Sequence, residues 1–297
     1  MLDNLLRGNA LFALAAAALW GGGDFAGGMG VKRAGGDLRA ALRVVLLSHI
    51  TSFSVLVAVA RLRGDVFPHG ALLLWGVLAG ISGGLALTGF YIALSRGSMG
   101  ASAAVSGLLA AAIPAGVAMA LDGSPGVRPL VGFVVAGVAI WMIAAAPQRE
   151  SAEPAARSTV VLAMLAGVGF GVYFVALKMA GAGGVIWPMA TARMGSLTVC
   201  SLLFVATQMG GQGGDAQRRF GKRAAGWALG TAVLDTSGNL LFIAATRVGR
   251  LDVAAVLASL YPASTILLAA WALSERPTRR QALGMATALA AVVLIAL

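Results

Sequence analysis

Ten apolar stretches alternate with short polar segments along the chain, and each stretch is about as long as one membrane span. A transmembrane helix needs roughly 20 predominantly apolar residues. The pattern therefore predicts an all-α membrane protein with about ten transmembrane helices. The stretches cover, to within a few residues, 10–30, 41–60, 70–92, 100–121, 127–146, 159–180, 187–209, 224–245, 251–273 and 278–297.

One of the two longest polar connections, residues 147–158, lies near the middle of the chain and divides the predicted spans five and five. The two halves also resemble each other, because YIALSR at residues 91–96 aligns with FIAATR at 242–247. We therefore predict three segments. They are a first five-helix repeat over residues 1–147, a linker over 148–158 and a second five-helix repeat over 159–297.

The odd number of spans in each predicted repeat has a geometric consequence. The second repeat must enter the membrane from the opposite side, so the two repeats are predicted to be inverted. Inverted repeats recur in secondary transporters, whose substrate site lies near the membrane midplane between the halves.

Composition agrees with a membrane protein and argues against several other classes. The chain is 59% hydrophobic and 11% charged, whereas soluble domains carry about 25% charged residues. Most Lys and Arg residues behind the net charge of +11 lie in short loops, where we expect lipid headgroups rather than nucleic acid as partners. With one Cys, two His and no G-x-x-x-x-G-K-[ST] motif, we expect no metal, no cofactor, no ATP hydrolysis and no enzymatic activity.

A motif in the second half carries a family resemblance. Residues 258–262, ASLYP, precede 273–276, LSER, and 280–284, RQALG. They resemble the S-L-Y-P … L-G-E-R … R-Q-x-x-G pattern of the EamA-type branch of the drug/metabolite transporter superfamily, with Ser274 in place of the usual Gly. The resemblance implies a ten-helix carrier with a central cavity that exports amino acids, other metabolites or drugs without ATP.

Two arguments about orientation disagree. Under the ten-span count, one membrane face carries roughly twice as many Lys and Arg residues as the other. The positive-inside rule places the richer face in the cytoplasm and both termini outside, whereas the family resemblance implies termini inside. Both arguments place the two termini on the same side of the membrane.

A polar pair stands in the middle of the eighth predicted span. Asp235 and Asn239 are four residues apart and therefore share one helix face. A charged group near the bilayer centre costs at least about 2.5 kcal/mol, so it tends to face a cavity or a partner. We predict that both residues line the substrate cavity, with Arg193 as a possible charge partner; the alternatives are an interhelical bond for Asp235 and an interfacial position for Arg193.

The first predicted span carries a second acidic candidate. Asp24 follows Trp20 and three consecutive glycines, which indicate either a close helix contact or a local break in the helix. We predict that Asp24 lines the cavity and binds a cation or a proton; the alternative is an interfacial Asp neutralised by Lys32 or Arg33. The aromatic residues Trp20, Tyr91 and Tyr261 are further cavity candidates, unless they belong to interfacial belts.

Two prolines lie inside predicted spans, Pro114 in the fourth and Pro262 in the ninth. Proline removes a helical hydrogen bond and bends the helix, so we predict that both act in gating; static bends are the alternative. His49 in the second span is interpreted as a packing residue rather than a proton relay.

These observations predict a multi-pass secondary transporter of a bacterial-type plasma (inner) membrane. We expect it to export small metabolites such as amino acids by alternating access. The alternatives are a proton-coupled exporter of cationic drugs, in which Asp24 or Asp235 binds both proton and cation, and a lipid-carrier flippase. An intramembrane enzyme is disfavoured by the small number of intramembrane polar groups. A purely structural subunit is also disfavoured.

Overall fold

A computed structural model describes residues 2–96, 99–144, 157–209, 220–272 and 278–296. These residues form eleven α-helices and one short 3-10 turn, with no strand among them. The helices are α1 (Leu2–Ala34), α2 (Leu38–Arg63), α3 (Ala71–Arg96), α4 (Met99–Asp122), α5 (Val127–Ala144), α6 (Arg157–Ala180), α7 (Ile186–Met209), α8 (Lys222–Val248), α9 (Leu251–Ala258), α10 (Tyr261–Ala272) and α11 (Arg279–Ala296); the 3-10 turn is Gly181–Gly183.

Eight segments within the described residues are long and apolar enough to cross a membrane, and α9 and α10 together form one of them. Two of the ten predicted spans lie outside this group and correspond to α5 and α11. Helices suit this environment because they satisfy every backbone hydrogen bond internally. The structure therefore supports an all-helical multi-pass membrane protein.

Local signals set the helix ends. The side chain of Asp37 accepts a hydrogen bond of 2.7 Å from the backbone N–H of Ala40 and caps the start of α2. Gly64 ends the same helix with φ of 70°, a left-handed conformation in which glycine avoids the strain of a Cβ atom. The predicted linker over 148–158 lies mostly outside the described residues, and α6 begins at Arg157.

The ninth predicted span is interrupted. It consists of α9 and α10, which are separated by a turn at Ser259 and Leu260. Pro262 is the second residue of α10, where its missing N–H costs no helical hydrogen bond. The fourth span differs, because α4 continues as helix through Pro114. The two prolines therefore occupy different structural positions, although the sequence analysis predicted the same gating role for both.

The three consecutive glycines of α1 form a close contact and not a break, because α1 is helical from Leu2 to Ala34. A Cβ atom placed on Gly23 would lie 3.2 Å from the backbone nitrogen of Asp235, so α1 and α8 approach each other closely there. Small residues permit such contacts between transmembrane helices. Of the two expectations for this glycine run, the close helix contact is the one observed.

Helices α1–α5 pack mainly against helices α6–α11. The most extensive contacts join α1 to α8, α3 to α6 and α7, α5 to α11, α4 to α6, and α2 to α7. This arrangement buries small and polar residues between the two sets, whereas large apolar side chains such as Leu74, Val134 and Trp271 are exposed on the outside. An apolar exterior is what a protein surrounded by lipid requires.

Candidate substrate cavity

Two adjoining cavities lie among the long central helices and share Leu87, Phe170, Tyr173, Asp235 and Asn239 in their walls. Both are partly open, and the empty space there, which includes open solvent, is about 300 Å³ for the first and about 330 Å³ for the second. The first is additionally lined by His49, Gly80, Gly83, Gly84, Ala192, Arg193 and Ser196, and the second by Trp20, Asp24, Phe174 and Tyr261. The first cavity has more polar side chains, whereas the second combines Asp24 with most of the aromatic rings.

Asp235 on α8 forms an ion pair with Arg193 on α7. The second terminal nitrogen of the same guanidinium lies 2.7 Å from Nε2 of His49, and Thr236 accepts a further hydrogen bond of 3.1 Å. Only 4% of Arg193 is exposed, so its side chain is buried within the helix bundle. Arg193 therefore connects α7 to α8 through Asp235 and to α2 through His49, beside the cavity.

The hydrogen bonds of His49 define its protonation state. An arginine guanidinium only donates, so Nε2 of His49 must accept the bond from Arg193 and carry no proton. Nδ1 then carries the ring proton and donates to the hydroxyl of Ser196, at 2.6 Å. His49 is therefore neutral and fixed in one tautomer by two polar partners on α7.

Asn239 lies one turn after Asp235 and faces the same cavities. Its Nδ2 atom donates to the backbone carbonyl of Asp235 at 2.7 Å, and its Oδ1 atom accepts a bond of 2.7 Å from the hydroxyl of Tyr173. The i, i+4 spacing thus places both α8 residues on the cavity side, and Tyr173 on α6 holds the amide in position.

Asp24 on α1 lines the second cavity and is 8% exposed. Within the described part of the chain, its carboxylate has no hydrogen bond and no ion pair, and Lys32 and Arg33 lie near the end of α1 as exposed residues. Asp24 is therefore a buried carboxylate that faces a cavity without a protein partner. An unpaired ion is costly in such a place, so the site favours a cationic ligand or a bound proton.

Aromatic rings surround this carboxylate. The indole of Trp20 stacks on Phe174 with ring centroids 5.0 Å apart, and the hydroxyl of Tyr261 donates to the carbonyl of Ala103 at 3.3 Å. Rings near an anionic group can stabilise organic cations through their π faces.

Tyr91 was predicted to line the cavity, but its ring packs against Gly27 and does not belong to either lining.

The structure brings five of the six predicted cavity residues to one cavity: Trp20, Asp24, Asp235, Asn239 and Tyr261. Their role in binding stays a prediction. The sequence analysis missed Tyr173, which lies in the apolar sixth predicted span, and interpreted His49 only as a packing residue. The signal for His49 was its position at mid-span, where polar groups require partners. Among the described residues, no group of three His, Cys, Asp or Glu side chains is arranged to hold a metal ion.

Comparisons with known proteins identify a similar fold and a similar family. One solved crystal structure is similar to this chain with a TM-score of 0.72 at 15% identity, over 97% of this chain and 98% of that one. That likeness concerns the fold alone. No curated protein matches the sequence.

The family assignment rests on the second half of the chain. The sequence model of the EamA-like transporter family matches residues 157–297, which contain the S-L-Y-P stretch. The resemblance stated from the motif is therefore confirmed over these residues.

Proposed function

We propose that this protein is a secondary transporter of small metabolites that carry a protonated amine, with the cavity between Asp24 and Asp235 as the substrate site. One observation carries the proposal. Asp24 is a buried carboxylate that faces an aromatic-lined cavity and has no partner among the described residues. A protonated amine supplies both the positive charge and the hydrogen-bond donors that this carboxylate lacks.

The polar lining of the cavities supports a small substrate. The internal space of each cavity is only about 30 to 40 Å³ in this conformation, so a substrate requires the site to widen. A lipid-carrier flippase is less well supported, because its headgroup would need a larger polar surface than Asp24, Asn239 and the Arg193–Asp235 pair provide.

Two classes of substrate carry such a positively charged nitrogen. Amino acids are the first candidate, because the family resemblance implies their export along with other metabolites and drugs. Cationic drugs are the second. Among the described residues, Arg193 is the one guanidinium that lines the cavities, and its pairing with Asp235 leaves a substrate carboxylate without a free counter-charge. Transport of each group by the purified protein distinguishes them.

Alternating access between two inverted five-helix repeats is the mechanism we propose, and the helix packing supports it. The contact of α1 with α8 has a counterpart in that of α6 with α3, as expected if α1–α5 correspond in order to α6, α7, α8, α9 with α10, and α11. The α5–α11 and α2–α7 contacts each join two corresponding helices. This symmetry argues for ten spans and for a site between the halves.

We place the protein in a bacterial-type plasma membrane as an exporter, with small-molecule substrate and lipids as its partners and protons as the coupling ion. A ten-span chain has both termini on one side. Reporter fusions at the two termini, one active only in the cytoplasm and one only outside it, measure their locations. Termini on opposite sides would contradict the ten-span arrangement.

The test of function is uptake into liposomes that contain the purified protein. We expect uptake of radiolabelled aromatic amines or amino acids to saturate with concentration and to be lost in Asp24→Asn. The matched control is Asp65→Asn, because Asp65 lies in the loop after α2 and pairs with a partly exposed Arg63. If Asp24→Asn transports every amine as fast as the unchanged protein, the cavity assignment is wrong.

A further inference from the structure

The charged side chains that line the cavities leave one negative charge unbalanced. From this we infer, on the basis of the proposed function, that the site takes monovalent organic cations and exchanges each one for a single proton, so that no net charge crosses the membrane. The inference depends on the charge state of four groups: Arg193, Asp235, His49 and Asp24.

Three of these groups form a unit with no net charge. Arg193 and Asp235 are an ion pair, with side-chain exposures of 5% and 15%. His49 accepts a hydrogen bond from Arg193 through Nε2 and is therefore neutral in this arrangement. Protonating His49 would place a second cation next to the guanidinium and remove this bond. The unit therefore carries no net charge in this arrangement.

Asp24 is the fourth group, and it lies outside this unit. It faces the cavity from α1, and Arg193 is the only Lys or Arg in the cavity lining within the part of the chain that the structure describes. The titratable and charged side chains around it from the helices packed against α1 are Tyr91 on α3, Asp235 on α8 and Tyr261 on α10, with His49, Tyr173 and Arg193 farther round the cavity. Asp235 adds negative charge, so the position of Asp24 favours a cation or a proton.

Charged residues at the helix ends do not alter this count. Lys178 donates to the carbonyl of Thr246 at 2.5 Å, and Arg247 donates to that of Gly181 at 2.5 Å. Arg250 is paired with the buried Asp252 near the start of α9. None of these side chains lines either cavity.

The exchange step balances with these groups. In the absence of cation, Asp24 holds a proton, because an unpaired carboxylate inside the membrane is costly as an anion. A monovalent cation that binds beside Asp24 displaces this proton, and the O–H bond breaks as the ion contact forms. The loaded cavity and the protonated cavity then carry the same charge. Each crosses the membrane without moving net charge, so the pH gradient drives exchange and the membrane potential does not.

A set of four benzyl compounds tests the charge assignment by binding. They are the monovalent benzyltrimethylammonium, the divalent p-xylylene-bis(trimethylammonium), zwitterionic phenylalanine and neutral benzyl alcohol. We expect the monovalent cation to bind the detergent-purified protein about tenfold more tightly than the others. Calorimetry in buffers of different ionisation enthalpy measures proton release, and we expect one proton per cation. Release of none or of two, or tighter binding of the divalent or zwitterionic compound, overturns the inference.

Transport measurements test electroneutral exchange independently of binding. In liposomes, uptake of benzyltrimethylammonium should follow an imposed pH gradient and stay unchanged when a potassium gradient with valinomycin sets the membrane potential. Uptake that follows the potential overturns electroneutral exchange. Saturable transport of phenylalanine without binding of the monovalent cation would overturn this inference and leave the proposed transporter function standing.

Variants assign the released proton to one residue. Asp24→Asn should abolish proton release and weaken cation binding by about tenfold or more. The double variant Arg193→Gln, Asp235→Asn removes one charge of each sign and should still release one proton per cation, whatever its affinity. Proton release that survives in Asp24→Asn and disappears in the double variant would assign the exchange to Asp235 and refute the role of Asp24. Elution as a single folded species by size-exclusion chromatography qualifies each variant.

Discussion

His49 and Arg193 share a hydrogen bond of 2.7 Å between α2 and α7, in which the imidazole accepts and the guanidinium donates. Arg193 also pairs with Asp235 on α8, so one buried guanidinium connects three helices. A mid-span histidine with this partner is a structural element of the polar network, because its ring orientation depends on both Arg193 and Ser196.

Replacing His49 by alanine tests this connection. We expect His49→Ala to lower the free energy of unfolding by about 2 kcal/mol, because it leaves a buried guanidinium N–H without its acceptor. His49→Gln, whose side-chain oxygen also accepts, should recover part of the loss. Thermal denaturation in detergent measures both. His69→Ala serves as the control, because His69 is exposed in the loop after α2 and should change the melting temperature little.

The two aspartates that line the cavities, Asp24 and Asp235, should respond in opposite ways to neutralisation. Asp235→Asn leaves Arg193 as an unpaired buried charge and is expected to destabilise the protein by about 3 kcal/mol. Asp24→Asn removes a carboxylate without a partner and should keep or raise the melting temperature. Equal losses in the two variants would contradict the difference in pairing.

Most residues that line this site could be predicted from the sequence, but the contacts between their side chains could not. Asp235 and Asn239 were placed on one cavity face because helical geometry fixes residues four apart, whatever surrounds them. Which helix lies opposite Asp235 depends on tertiary packing, so Arg193 had two possible positions. Tyr173 and His49 each lie within a predominantly apolar run, and hydropathy records neither the direction of such a side chain nor its partner.

The same limit applies to the fold. Apolar run length indicated the long helices because the membrane imposes their length. The turn at Ser259 and Leu260 lies within one continuous apolar run, so run length predicted a single helix there. Pro262 marked the region, but Pro114 carries the same local signal within an unbroken helix. Proline alone therefore does not distinguish a continuous helix from an interrupted one.

Arg250 offers a test at one end of the helix bundle. Its guanidinium binds the carboxylate of Asp252, which is fully buried, and donates to the carbonyl of Gly123 at 2.6 Å. We expect Arg250→Ala to cost about 3 kcal/mol of stability, because it leaves Asp252 buried without a counter-charge. Arg63→Ala removes a mostly exposed pair with Asp65 and should cost less than about 1 kcal/mol. Chemical or thermal denaturation of the two variants, in parallel, measures the difference.

The crossing of α3 and α7 depends on glycine. A Cβ atom on Gly80 would overlap the carbonyl oxygen of Ala192, whereas one on Gly116 in α4 would meet nothing within 4 Å. Gly80→Ala should therefore destabilise the protein by about 2 kcal/mol, as overpacking does. Gly116→Ala should keep or raise stability, because alanine favours the helix by about 1 kcal/mol. The melting temperatures of the two variants should shift in opposite directions or differ clearly in size.

Pro262 is expected to affect transport more than stability. Alanine at this position restores an N–H that can bond four residues back to Ala258 and join α9 to α10 as one helix. We predict slower transport by Pro262→Ala at an unchanged amount of folded protein in the membrane, because the interrupted helix no longer bends during the cycle. Pro129→Ala, in the first turn of α5, is the matched control. A normal rate in Pro262→Ala at equal expression would remove its gating role.

The packing of α1–α5 against α6–α11 has a consequence for how the protein is made. The ribosome releases α1 and α2 into the membrane long before α7 and α8 exist, so Asp24 and His49 enter lipid without the helices that later enclose them. The glycine face of α3 likewise remains uncovered until α6 and α7 are inserted. The first five helices therefore remain a loose intermediate until the chain is nearly complete. Premature termination after α5 should yield a product that membrane proteases degrade rapidly.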